Sequence, residues 1–219
     1  MFKKKPVIII VAILMLISTA CILPNLSIPM RLSASSKNAK VSYIPFYVSL
    51  VESSALFPYY TPEEFINNHS ADMFMGEVSD VKNIRMSIGS YTYDKSIAKV
   101  KVTKVLSGTA TVGSTVSILL PVPINTIVHY EDSEVISCIR SGMTGIFLPK
   151  KYDASSYWKI DSDAELYLPD IADYGLTDGR RDVFFYDGSK LIYDDYTYSY
   201  QLKSLQDVEN LIQDITSKS

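Results

Sequence analysis

The chain contains few of the residues that carry out covalent or metal chemistry. It has two cysteines, two histidines and one tryptophan in 219 residues. Two cysteines, Cys21 and Cys138, are too few for the disulfide framework of a small secreted domain. A catalytic thiol also needs a histidine and an electropositive setting, and the sequence around His69 and His129 offers no recognisable orienting group. The sequence therefore predicts no enzyme, no metal site and no cofactor.

The chain also lacks an excess of positive charge. Its formal net charge is −3, and the acidic residues are concentrated towards the C-terminus. Residues 152–219 contain 6 basic and 14 acidic residues, a net charge of −8. Proteins that bind nucleic acids present a basic face to the phosphates. We therefore expect no nucleic-acid partner.

A long apolar run stands near the start of the chain, in residues 1–24. Three lysines precede it, the apolar residues run from Val7 to Ile17, and small residues follow at Ser18 and Ala20. A positive head, an apolar middle and a small-residue exit are typical of an export signal. The sequence therefore predicts that the remaining residues form an extracytoplasmic domain.

Three fates are open to this N-terminal segment. A signal peptidase would cleave after Ala20 and release the protein. Lipidation of Cys21 is the second fate, although Ser18 stands where such motifs usually carry an aliphatic residue. The third is an uncleaved anchor over Val7–Leu23, which as a helix spans about 25 Å, slightly less than a bilayer core, with the lysines on the cytoplasmic side. The first fate gives a secreted protein, and the other two place it at the cell membrane.

The composition divides the rest of the chain into four parts. Residues 25–40 are polar and serine-rich and predict a tether. Residues 41–60 are apolar and aromatic but interrupted by prolines, which predicts an extension packed on the domain. Residues 61–160 carry the strand patterns, and residues 161–219 form an acidic, tyrosine-rich C-terminal part.

The strand patterns follow a short helix. Thr61 as N-cap, with proline at the next position, predicts a helix over residues 62–68. Alternating apolar residues predict a strand over 72–81 and another over 98–103. The polar, glycine-containing stretch between them predicts a turn over 87–94. Further strands are predicted at residues 115–120, 134–139, 144–148 and 157–160.

A hairpin and a helix are predicted at the C-terminus. Asp187-Gly188 is a strong turn signal between the strands at 182–186 and 190–193. Residues 204–215 have an apolar face at helical spacing, with Ser204 as N-cap. The fold class predicted by these patterns is mainly β with α, a small β-barrel between a short helix and a C-terminal hairpin plus helix.

Several segments resemble a known group of proteins. The sequences ADMFMGEV, AKVKVTKVLSGTATVGSTVSILLP and SGMTGIFLPKKY resemble secreted Gram-positive proteins with an OB-like barrel related to netrin and metalloproteinase-inhibitor modules. The matching positions are glycines and core residues: Gly76, Val100, Val102, Val105, Leu106, Gly108, Gly113, Val116, Ile118, Gly142, Phe147 and Leu148.

The resemblance implies an OB-like barrel over about residues 62–160 and an extracytoplasmic location. Two positions depart from the pattern, since Ser107 replaces a lysine and Gly145 stands where an aromatic residue is common. Inhibitory members of the wider group bind zinc through the amine of an N-terminal cysteine beside the first barrel strand. Cys21 lies far upstream of that strand, so inhibition is not carried over from the resemblance.

Aromatic residues provide the candidate ligand contacts. Nine of the sixteen tyrosines fall within residues 152–200, and an exposed aromatic row is a common platform for glycans or peptides. The alternative is that these rings only cover the barrel and the C-terminal helix. The candidates are Tyr157, Trp158, Tyr196, Tyr198 and Tyr200, and the last three share one face if their segment is a strand.

Two charged patterns have weaker functional interpretations. Three carboxylates alternate in residues 161–165, as in some calcium loops, but the turn glycine and the distant glutamate of an EF-hand loop are missing, and a solvated loop is the favoured interpretation. Lys99, Lys101 and Lys104 form either a basic face for anionic wall polymer or lipid, or an ordinary charged strand face.

The sequence as a whole predicts a membrane-tethered, extracytoplasmic binding protein of a Gram-positive bacterium. Its expected partner is a protein or a cell-wall glycan, and the N-terminal segment is expected to contact the membrane. The alternative is an accessory or inhibitor protein that acts on an exported peptidase.

Overall fold

The computed structural model describes residues 27–45, 61–69, 72–124, 133–177 and 179–218. Two helices are present in these ranges, α1 (Pro62–His69) and α2 (Leu205–Ser217). The strands are β1 (Ile28–Pro29), β2 (Ala39–Tyr43), β3 (Met73–Ile88), β4 (Tyr91–Ser107), β5 (Thr115–Leu120), β6 (Thr144–Phe147), β7 (Lys150–Lys151), β8 (Tyr157–Lys159), β9 (Glu165–Tyr167), β10 (Tyr174–Gly175), β11 (Val183–Tyr186) and β12 (Leu191–Ile192).

Ten of these strands form one curled, half-barrel sheet. Its order is β12-β11-β6-β3-β4-β5-β10-β7, with β2 paired to β3 and β1 paired to β2. All pairs are antiparallel except β5 with β10. β8 and β9 form a separate antiparallel pair. The prediction of a mainly β protein with a C-terminal helix is confirmed. The predicted short helix is present, but it follows β1 and β2 of the sheet, and the predicted C-terminal hairpin, β11 and β12, is part of the same sheet.

The β3–β4 hairpin is much longer than the sequence predicted, because its two halves bury opposite faces. Near its base, Val78 and Val100 lie opposite each other and are buried. Near its tip, the buried residues Ile84, Met86 and Ile88 belong to the other face. The pairing register shifts between Val78 and Asp80, and the extra residue, Ser79, reverses the alternation of β3 side chains across the sheet. The predicted turn over 87–94 is therefore wrong, and the turn is formed by Gly89 and Ser90 alone.

A polar contact marks the position where the buried face changes. The Asn83 side chain accepts hydrogen bonds from the Ile124 N–H at 2.9 Å and from the Ser96 hydroxyl at 2.7 Å. It also donates to the Ile124 carbonyl at 2.8 Å. The Asn83 amide thus satisfies backbone groups of Ile124 that no strand partner satisfies, which removes the cost of burying them.

Three hydrophobic clusters follow from this arrangement. The inner face of the half-barrel holds the largest cluster, which includes Phe74, Phe147 and Phe185. α1 and α2 cover the outer face of β6 and β11, where Ile146 and Ile212 are both buried. The segment that contains β8 and β9 covers the outer face at the hairpin tip.

Both helices begin at the predicted caps. The Thr61 hydroxyl accepts from the Glu64 N–H at 3.2 Å, and the Glu64 carboxylate accepts from the Thr61 N–H at 3.0 Å. Ser204 and Asp207 make the same reciprocal pair at the start of α2. Such a capping box satisfies two of the four N–H groups that a helix start leaves without partners.

Two predictions about other segments are wrong. Residues 134–139 do not form a strand, since a 3₁₀ turn occupies Ile136–Cys138. Residues 27–40 are not a free tether, because β1 and the start of β2 join the sheet within them. The Asp170 carboxylate holds the connecting turn by accepting from the Ser33 N–H at 2.9 Å and the Ser36 hydroxyl at 2.7 Å.

Gly145 has a packing reason for departing from the resembled pattern. It lies opposite Gly76 on β3 and Phe185 on β11. A Cβ atom at position 145 would come within 2.8 Å of the Phe185 ring and 2.9 Å of the Phe184 carbonyl oxygen. The Phe185 ring therefore fills the space that a larger side chain would need.

Some predictions concern residues outside the described ranges. Residues 1–24, with Cys21, lie outside them, as do residues 46–60 of the predicted extension. In the portion of the chain that the structure covers, no helix combines the length and apolar character required for crossing a bilayer.

Candidate functional site

Three aromatic rings form a continuous strip at the tip of the β3–β4 hairpin. Tyr91 and Tyr93 point to the same face of β4, and their nearly parallel rings have centroids 6.5 Å apart. The Trp158 ring, from β8, lies 4.8 Å from the Tyr93 ring. Tyr91 is 55% exposed, whereas Tyr93 and Trp158 are half-buried. We call Tyr91, Tyr93 and Trp158 the aromatic strip.

The aromatic strip packs on buried side chains of β3 and β9. Tyr93 and Trp158 pack on the buried cluster that contains Met86 and Leu166. Trp158 also lies directly opposite Leu166 in the β8–β9 pair. Rings whose lower halves are fixed by packing lose little conformational freedom when a ligand stacks on them.

Lys95 places a cation at the inner end of the strip. Its ammonium lies 5.5 Å from the centroid of the Trp158 ring and donates a hydrogen bond to the Pro121 carbonyl. Burial lowers the pKa of Lys95 from 10.5 to about 8, because the charged form loses hydration in this position. A cation close to an aromatic face is stabilised by the ring quadrupole.

This buried amine should make stability depend on pH. Between pH 8 and 10 the unfolded chain retains the Lys95 proton that the folded chain releases, so the free energy of unfolding should rise with pH, by at most about 1.4 kcal/mol per unit. Above pH 10 the free energy of unfolding should fall. Burial raises the pKa of Tyr152 and Tyr174 to about 12, so in this range the folded chain retains phenol protons that the unfolded chain releases. Urea unfolding at several pH values measures both effects. Lys95→Met should abolish the rise, and an unchanged rise in that variant would contradict this assignment.

The predicted contact residues on β8 point in opposite directions. Trp158 belongs to the aromatic strip. Tyr157 lies on the outer face of β8, where its ring packs 5.0 Å from the Tyr167 ring and the Lys159 ammonium lies 5.2 Å from its centroid. The structure therefore does not combine Tyr157 and Trp158 into one surface.

The predicted row of Tyr196, Tyr198 and Tyr200 is wrong, because their segment is not a strand. Tyr198 is fully buried, and its hydroxyl donates to the Arg181 carbonyl at 2.7 Å. Tyr196 is 75% exposed and Tyr200 41% exposed. The chain turns in this segment, so these side chains do not alternate across a sheet.

The three lysines of the predicted basic face lie among acidic residues. Lys99 and Lys101 are directly opposite Asp80 and Glu77 on β3. The Lys104 ammonium lies 2.5 Å from the Glu209 carboxylate on α2. Opposite charges at facing positions leave a mixed strand face rather than a basic one.

Two of the three alternating carboxylates of residues 161–165, those of Asp161 and Glu165, are engaged within the protein. The Asp161 carboxylate accepts from the Asp163 N–H at 2.8 Å. The Glu165 carboxylate lies 2.7 Å from the Lys37 ammonium and 3.5 Å from the Lys159 ammonium. Lys37 is the main reason that the pKa of Glu165 is lowered. Within the described ranges, no group of three or more potential metal ligands occurs.

Cys138 is half-buried, and its thiol lies 3.2 Å from the Glu134 carbonyl oxygen. It is in the 3₁₀ turn at Ile136–Cys138, and its segment packs on the inner face of the half-barrel through Ile136. This position agrees with a structural role for the residue. The proposed lipidation of Cys21 lies outside the described residues and stays a prediction.

Sequence reasoning missed Tyr91, Tyr93 and Lys95 as site residues, since they lie in the predicted turn or at its end. Their signal was the alternation of Tyr91, Tyr93 and Ile97 with polar residues, which has the period of a strand but the opposite phase to Ala98, Val100 and Val102 in the strand that follows. The partnership with Trp158 had no local signal, because that residue is distant in the sequence.

Comparisons with known proteins do not add to this description. No family model matches the chain, and no curated protein or solved structure is significantly similar to it. The function is therefore argued from the chain's own residues.

Proposed function

We propose that this chain is a membrane-tethered, extracytoplasmic binding protein without catalytic activity, and that its aromatic strip holds a cell-wall glycan. The observation that carries the proposal is the strip itself, in which the rings of Tyr91, Tyr93 and Trp158 follow one another at 6.5 and 4.8 Å, with Tyr93 and Trp158 packed on a buried cluster. Pyranose rings stack on such faces through their apolar C–H groups, while their hydroxyls stay in water or find polar partners.

We further propose that the half-barrel is OB-like, and the strand order supports this. β3 pairs with both β4 and β6, and β4 pairs with β5. β10 runs parallel to β5, and β11 then pairs with β6. The segment from β10 to β11 thereby connects the two ends of the meander, as the fifth strand of a five-stranded OB barrel does.

The position of the aromatic strip agrees with the ligand-binding position of an OB-like barrel. OB folds bind oligosaccharides and oligonucleotides with the loop between the first two strands and the loop between the fourth and fifth. Tyr91 and Tyr93 lie at the tip of the hairpin formed by the first two barrel strands, β3 and β4. Trp158 lies between β6 and β10, the proposed fourth and fifth. The net negative charge of residues 152–219 favours a saccharide over a nucleic acid.

Trp158 is the only tryptophan, so its fluorescence reports on the strip directly. Titration of the full chain with soluble fragments of peptidoglycan and wall polysaccharide should shift its emission. Tyr91→Ala should weaken binding about tenfold, since it removes the most exposed ring of the strip. Tyr186→Ala, which removes a partly exposed tyrosine on β11, is the matched control and should leave the affinity unchanged.

Three results would contradict this proposal. Unchanged affinity in Tyr91→Ala would remove the strip from the site. Loss of binding in Tyr196→Ala instead would move the site to the C-terminal segment. Capture of one dominant protein by the full-length chain from its native membranes, with no wall polymer bound, would establish a protein partner and favour the accessory or inhibitor role.

A further inference from the structure

The sequence predicted a flexible tether between the N-terminal apolar run and the domain, but β1 and the start of β2 lie within that segment and join the sheet. The sheet begins at Ile28, and the apolar run ends at Leu23. A fully extended chain spans at most about 18 Å from Leu23 to Ile28, and about 25 Å from Cys21. If the chain is held at the membrane as an anchor or a lipoprotein, the edge of the sheet that carries β1 is close to the lipid.

The residues at that edge have the composition of a membrane interface. Ile28 is 63% exposed and lies directly opposite Tyr43 on β2. The Lys82 ammonium lies 5.7 Å from the centroid of the Tyr43 ring and 3.1 Å from the Asp80 carboxylate. An exposed aliphatic residue, an aromatic ring and a long basic side chain on one face are the groups that anchor proteins in the headgroup region.

We propose that Ile28, Tyr43 and Lys82 form a membrane-facing patch that seats the domain directly on the bilayer in one orientation. This inference rests on the membrane tethering in the proposed function. Ile28 enters the boundary between headgroups and acyl chains, Tyr43 lies at the level of the headgroups, and the Lys82 ammonium faces lipid phosphates. The patch and the short connection act together, because a connection of this length cannot bring a distant face of the domain to the lipid.

The test places a photoreactive benzoylphenylalanine at position 28 of the full-length protein in vesicles of phosphatidylglycerol and phosphatidylethanolamine. The matched control is position 112. Val112 is 60% exposed and directly precedes Gly113, whose N–H donates to the Val102 carbonyl. Val102 is about 23 Å along β4 from Lys95, which lies opposite Ile84. After irradiation, mass spectrometry should show lipid adducts at position 28 that are roughly tenfold more abundant than those at position 112.

Two outcomes would overturn this inference. Similar lipid labelling at the two positions would show that the patch does not face the bilayer. Crosslinks from position 28 to residues 46–60 of the same chain would show that this apolar segment occupies the patch instead. Flotation of the vesicles, measured before irradiation, tests the tether separately: a chain that does not float refutes the tethering and the patch together, whereas a floating chain without lipid labelling refutes the patch alone.

Discussion

Replacement of Tyr198 with alanine is expected to lower the free energy of unfolding by about 3–5 kcal/mol. The side chain is fully buried among the residues that α2 covers. Its ring lies 4.8 Å from the Phe184 ring, so truncation leaves a cavity beside β11. The hydroxyl donates to the Arg181 carbonyl at 2.7 Å, and Tyr198→Phe should therefore cost about 1 kcal/mol on its own.

Tyr196 provides the matched control for this prediction. It is 75% exposed, and its ring contacts the Arg180 guanidinium at 5.9 Å. Tyr196→Ala should change the free energy of unfolding by no more than about 0.5 kcal/mol. Urea denaturation followed by circular dichroism measures all three variants. If Tyr198 and Tyr196 were equivalent members of a surface row, their alanine variants would show equally small effects, and that result would contradict the fold described for this segment.

The sequence predicted a strand well where the strand buries the same face along its whole length, because its apolar residues then alternate without interruption. β5 has the predicted bounds, Thr115–Leu120, and the hairpin of β11 and β12 follows its Asp187-Gly188 turn signal. The β3–β4 tip was missed because its polar residues suggested a turn, whereas the strands continue there with the opposite face buried. Residues 134–139 are mostly apolar without strict alternation, and such a run does not distinguish a strand from a helical turn without its tertiary contacts.

The aromatic strip was harder to predict than the strands. Alternation alone places Tyr91 and Tyr93 on one face, but only if the strand is known to extend to the tip. Trp158 reaches them because the segment with β8 and β9 folds over that end of the sheet. Lys37 and Glu165 form both an isolated β-bridge and an ion pair, which connect this segment to the residues before β2. These contacts depend on the folded chain, so no local pattern predicts them.

Replacement of Asp72 with alanine is expected to lower the free energy of unfolding by about 3 kcal/mol. Asp72 directly precedes β3 and is 2% exposed. Its carboxylate accepts from the Thr109 N–H and from the Thr109 hydroxyl at 3.4 Å. After burial, its negative charge is the next cause that raises the pKa of the Tyr174 hydroxyl on β10. Without this carboxylate, the N–H and the hydroxyl of Thr109 lose their acceptor.

The carboxylate of Asp72 joins the start of β3 to the loop after β4 at Thr109, and its charge acts on Tyr174 of β10. The Lys151 ammonium on β7 donates to the Thr109 hydroxyl, 2.6 Å away. If this network holds the ends of the half-barrel together, Asp72→Ala and Tyr174→Phe should couple by about 1 kcal/mol in a double-mutant cycle measured by urea unfolding. Asp163→Ala, at an exposed loop position, should cost no more than about 0.5 kcal/mol. Additive effects of the first two changes would show instead that Asp72 serves Thr109 alone, and that β10 is held by its strand pairing with β5 and β7.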